Sequence, residues 1–116
     1  MNIEDALTKL EREIGVINCD LDGRTDSVRN QETNLGNFLC DIVTSAVTCD
    51  CCILNGGALR SDRIHPAGSF KIRDLRDILS FESELIAVSI KGKTKKIILK
   101  LILKRFIKKA QNSIDY

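Results

Sequence analysis

Two short stretches of this 116-residue chain bring together residue types that can do chemistry. One is RNQETNLGNF, residues 29–38, which sets Arg29 ahead of a helix start. The other is ILNGGALRSDRIHPAG, residues 53–68, where Asn55-Gly56-Gly57 follows an apolar run and Arg60 comes three positions later. Arginine presents a planar fork of donors that matches phosphate or carboxylate, and it binds either one bidentately. Glycine lets the backbone turn tightly or approach a ligand closely. Asn55 can hydrogen-bond a sugar hydroxyl or orient the loop. Two arginines carried by two separate turns point to an anion site. Each also has a plain structural reading: Arg60 as the surface residue of a strand exit, Arg29 as a solvated turn residue. Glu32 reads as a structural partner that fixes an arginine, a pairing worth little when exposed.

Three other features bear on chemistry. Phe81 stands in the polar context Ser80-Phe81-Glu82-Ser83-Glu84 just before a predicted strand. Its spacing reads as core, and a ring at a site edge would instead offer a stacking face to a planar base. Cys49-Asp50-Cys51-Cys52 lacks the two-residue spacing and second cluster of a usual zinc site. Cysteine is among the most buried residue types, which favours a structural role there. His65, beside the single proline Pro66, is the only histidine, and one histidine does not make a metal centre.

Bulk properties set the frame for these residues. The length fits one domain. With 43% hydrophobic and 29% charged residues the composition is that of a globular chain rather than a disordered one. A net charge of +2 predicts no polyanion partner by itself. Its distribution is uneven, however: nine of the 18 Lys/Arg fall between Lys91 and Lys109, a span with no acid. The N-terminus MNIEDALTKLEREIG is charged and lacks the apolar core of a signal peptide. No stretch reaches the roughly 18 apolar residues of a bilayer span. Five cysteines cannot all pair, which agrees with a reducing compartment. The expected location is the cytoplasm.

The elements that must position the arginines follow from periodicity. Apolar residues at 3, 6, 7, 10 and 14 predict a helix over 3–14, ended by Gly15. A strand is expected over 16–21, closed by Asp22-Gly23. Asn34 is expected to cap a helix whose apolar face is Phe38, Ile42, Val43, Ala46 and Val47. Residues 51–54 read as a buried strand and 61–69 as a loop. A helix is expected over 72–79 and a strand over 84–90. A basic amphipathic helix over 94–111 carries an apolar stripe of Leu99, Ile102, Leu103, Phe106, Ile107 and Ala110. Helices alternating with strands predict a mixed α/β fold, a small buried sheet flanked by helices. The basic helix has two readings: packing against a sheet, or docking on an acidic membrane or nucleic acid.

In combination, the motifs resemble a known family. Arg29-x-x-Glu32-x-Asn34-Leu35-Gly36-Asn37-Phe38-x-x-Asp41, then Ile53-Leu54-Asn55-Gly56-Gly57-x-Leu59-Arg60, then Asp74-Leu75 and Leu79-Ser80-Phe81, are similar to the C-terminal domain of the 5'-nucleotidase family. The likeness runs over about residues 16–100 and is greatest to variants carrying LDGR before the first motif and LRSDRIHPAG after the second. It implies a nucleotide-binding domain that serves a separate N-terminal metallophosphatase domain with two divalent metal ions and a His-Asp pair. By position, Arg29 and Arg60 correspond to arginines that grip substrate phosphate. Asn55, Gly56 and Gly57 correspond to the NGGGIR-type turn, and Phe81 to the first of two rings that sandwich the base. Ala58 replaces the third glycine of that turn. Ser80 and Glu82 replace the usual proline and glycine. The second ring, its neighbouring acid and the metal-ligand set have no counterpart. The resemblance therefore implies residues 1–116 as a single partial domain with half a nucleotide site, needing no cofactor of its own and inactive in phosphoester hydrolysis without the metallophosphatase domain. Its expected partners are a nucleotide-like phosphoester in nucleotide catabolism and that missing domain, not nucleic acid. The alternatives are a non-enzymatic module that binds membrane or nucleic acid through its basic helix, and a degraded fragment.

Overall fold

Most helices start at local capping signals. The computed structural model describes residues 2–100, and the chain divides into two units, Met1–Glu84 and Leu85–Tyr116. In the first unit, helix α1 (Ile3–Leu10) begins where Asn2 Oδ1 accepts the Asp5 N–H at 2.8 Å, with Glu4 and Asp5 in the first turn. It ends four residues short of the expected boundary. Residues Glu13–Ile17 are drawn instead into strand β1, and Gly15 lies opposite Phe70 within that strand rather than capping the helix. The rest of the expected strand over 16–21 is split: a separate strand, β2 (Leu21–Asp22), follows.

Helix α2 (Thr25–Asn30) has no side-chain cap of its own; Asp62 Oδ1, 37 residues away, accepts the Thr25 N–H at 2.8 Å. Helix α3 (Asn34–Val47) is capped by Thr33, whose Oγ1 accepts the Gly36 N–H at 3.2 Å. Asn34 does different work. Its Oδ1 accepts the Asp22 N–H at 2.9 Å and its Nδ2 donates to the Asp20 carbonyl at 2.6 Å, tying β2 to the start of α3. The face that α3 buries is centred on Leu35 and Leu39, with Phe38 partly buried, while Ile42 and Val47 are exposed.

After α3 the chain runs to a single 3₁₀ turn, Gly56–Ala58. The segment 61–69 is not a plain loop. It holds strand β3 (Ile64–His65) and the start of β4 (Gly68–Lys71), and helix α4 (Ile72–Ile78) follows directly. Two two-stranded antiparallel sheets result. β1 pairs with β4 (Gly15 with Phe70, Val16 with Ser69, Ile17 with Gly68), and β2 pairs with β3 (Leu21 with His65, Asp22 with Ile64). The core lies between these ribbons and the helices: Leu21, Val28, Leu35, Leu39, Leu59, Phe70 and Ile78. Phe38 and Phe70 meet edge to face at 6.0 Å. The fold is mixed α/β, as the alternation of elements predicts.

Two expected strands do not form. Residues 51–54 join no strand ladder among the described residues, and Ile53 is 67% exposed. Residues 84–90 are likewise without ladder bonds, and Leu85, Ile86, Val88 and Ile90 are exposed. Apolar sequence makes a strand only when a neighbouring strand satisfies its backbone. In the second unit, residues 92–100 are helical, begun by N–H bonds from Thr94 and Lys95 to the Lys91 carbonyl. The remainder of the expected basic helix, including Ile102, Leu103, Phe106, Ile107 and Ala110, lies outside the described residues.

Candidate functional site: two arginine-bearing turns

Gly56 is the point at which the two motifs meet. A Cβ at Gly56 would stand 2.2 Å from the Val28 carbonyl oxygen and 3.5 Å from the Arg29 Cα, so the turn lies directly on the backbone of α2. Only glycine permits that approach. Val28, buried in the core, fixes the helix from below, and Asp62 holds its first turn. Arg29, in the last turn, is exposed.

The turn itself is built by short-range bonds. Asn55 Oδ1 accepts the Gly57 N–H at 3.3 Å, while the Asn55 carbonyl accepts the Ala58 N–H at 2.9 Å. Asn55 thus orients the loop, one of the two roles its position allows. Leu59, 3% exposed, anchors the exit of the turn in the core. The next residue, Arg60, donates its backbone N–H to the Ile78 carbonyl at 2.8 Å, which locks the turn to the end of α4. Phe81 follows that helix end by three residues. The Arg60 guanidinium lies over the Phe81 ring at 5.2 Å from its centroid, and its Nη1 donates to the Gly57 carbonyl at 3.4 Å. Phe81 is 66% exposed, not the core residue its spacing suggests.

One surface therefore carries the NGG turn and Arg60 over Phe81, and Gly56 rests on the Val28–Arg29 backbone. Glu32 stands apart: its Oε1 accepts from Asn37 Nδ2 at 2.8 Å, and no arginine among the described residues pairs with it.

A second polar cluster, which spacing did not reveal, braces the loop after Arg60. His65 is 1% exposed, with Nε2 2.9 Å from Ser61 Oγ and Nδ1 3.9 Å from Asp74 Oδ1. Arg63 Nη2 donates to Asp74 at 2.9 Å and to Asp77 at 3.0 Å, and Asp74 Oδ2 accepts the Lys71 N–H that starts α4. Burial, reinforced by the positive charge of Arg63, holds the His65 pKa below its usual value despite Asp74 and Asp77. Burial works against ionisation of Asp74, yet the Lys71 N–H and Arg63 keep its carboxyl below the ordinary carboxylate range. The only available sign was composition: a lone histidine within an Arg/Asp-rich stretch.

The metal ions implied by the family resemblance do not fit the described residues. His65 is enclosed with Nε2 on Ser61, and no group of three or more His, Cys, Asp or Glu among the described residues could hold an ion. The cysteines are not core residues either. Cys19 and Cys51 are exposed, and Cys40, Cys49 and Cys52 half-buried. Burial and the adjacent Cys52 push the Cys40 thiol up to about 11, which keeps it protonated.

Two small sheets set among helices, with an arginine on each of two adjoining turns, define a mixed α/β module. The 5'-nucleotidase C-terminal domain profile matches residues 13–113 of the 116, and the chain belongs to that family. No curated protein matches it significantly. Among the described residues, no helix is long and apolar enough to cross a membrane.

Proposed function

We propose that the surface formed by Arg29, Asn55, Gly56, Gly57, Arg60 and Phe81 binds the phosphate end of a nucleotide or nucleotide-like phosphoester. The chain would be the substrate-binding portion of a 5'-nucleotidase-type hydrolase in nucleotide catabolism, nearest to the family variants with LDGR and LRSDRIHPAG segments. The observation that carries this reading is the seating of Gly56 on the Val28–Arg29 backbone, which joins two arginine-bearing turns that are distant in sequence. Arginine supplies charge-assisted, bidentate bonds to phosphate oxygens. The exposed Phe81 ring offers a stacking surface to a planar base. Hydrolysis would require a metallophosphatase domain supplying two metal ions, because the described residues do not fit such a centre.

Titration with adenosine monophosphate tests the reading. Arg60→Ala and Arg29→Ala should each weaken binding about tenfold or more, the loss expected for a charged hydrogen bond of about 1.5–3 kcal/mol. Equal affinity in wild type and both variants would refute the site. Metal-dependent phosphatase activity of the 116-residue chain, abolished by Arg60→Ala, would refute the division of labour. The alternative, docking of the basic helix on acidic membrane or nucleic acid, requires salt-sensitive binding lost on replacing Lys100, Lys104 and Lys108.

A further inference from the structure

Phe81 has a second neighbour besides solvent. The Arg60 guanidinium carbon lies 5.2 Å from the ring centroid, within cation–π range. Both partners are anchored on the same structure. Arg60 donates its N–H to the Ile78 carbonyl at the end of α4, and Ser80 Oγ donates to the Arg76 and Asp77 carbonyls just before Phe81. The ring is therefore presented to the guanidinium by a closed helix end rather than by a loose loop.

The geometry of the pair matters for ligand binding. A guanidinium held over a ring by cation–π attraction keeps its in-plane N–H groups as hydrogen-bond donors. One of them is given to the Gly57 carbonyl. An otherwise flexible arginine is thus restrained at two points, the Phe81 ring and the Gly57 carbonyl.

Resting on the reading that Arg60 grips phosphate, we propose that Phe81 is a positioning residue for Arg60. It acts on the phosphate end of the ligand through the guanidinium, in addition to any stacking of a base. Pre-ordering a rotamer-rich side chain lowers the entropy lost on binding.

Ribose 5-phosphate separates this role from base stacking, because it has the phosphate and no base. Phe81→Leu should weaken ribose 5-phosphate binding about two- to fivefold, and Phe81→Tyr should restore it. Adenosine monophosphate should weaken by at least as much. Unchanged affinity of Phe81→Leu for ribose 5-phosphate, with adenosine monophosphate weakened, would overturn the proposal and leave Phe81 a base platform only. A ligand-free measurement stands beside it. The Arg60 Nε–H resonance should be displaced upfield by the ring current in wild type and return in Phe81→Leu. No displacement overturns the pairing whether or not ligand binds. Should neither ligand bind the wild type, the phosphate reading fails, and the resonance alone decides the pairing.

Discussion

His65 and Arg60 follow each other within six residues and meet opposite fates. Arg60 stays at the surface, its guanidinium over the Phe81 ring. His65 is enclosed, with its Nδ1 lacking a hydrogen-bond partner among the described residues. An imidazole whose folded-state pKa is depressed is neutral in the native protein and gains a proton on unfolding as pH falls through about 6.5. The unfolded state then binds more protons, so stability must fall as pH drops from about 7 toward the depressed native value. The urea midpoint should accordingly decrease from pH 7.5 to pH 5.5, and the slope should flatten in His65→Gln. A midpoint that stays level or rises over that interval would contradict the assignment. The aspartates act in a lower window: Asp22, held well below its usual range by hydrogen bonds from Arg24, and Asp62, held down by Thr25, lose their contribution only near and below pH 4.

At the scale of elements, the glycines separate conformation from close approach. Gly56→Ala would drive a methyl group into the Val28 carbonyl, so the turn or α2 must shift. The expected loss is about 1–3 kcal/mol, seen as a lower melting temperature. Gly15→Ala meets no atom within 4 Å and should change stability by less than about 0.5 kcal/mol. Equal melting temperatures for the two variants would refute the seating of the turn on α2. Helix α4 was legible because its signal, the helical spacing of apolar residues over 72–79, is local. The limits of α1 were not, because residues 13–17 are claimed by β4, more than 50 positions later. Periodicity likewise assigned strands to 51–54 and 84–90 but could not say what would pair with them.

Among the described residues, more large apolar side chains are exposed than are buried in the core. Leu85, Ile86 and Val88 lie within one unpaired, β-prone run, and such a run tends to associate with another. Sedimentation should show association that grows with concentration. Ile86→Lys with Val88→Lys should reduce it, whereas a wild-type chain that remains monomeric at high concentration would refute the expectation.

The residues of the candidate site, their order, the mixed α/β class and the family resemblance were all set by the sequence itself, since each rests on residue identity and local spacing. Only the tertiary structure decided that Gly56 rests on α2, that Arg60 lies on Phe81, that Asp62 caps a helix 37 residues earlier, and that His65 is interior. Those are contacts between segments far apart along the chain. Local propensity carries no information about which distant backbone will arrive to complete them.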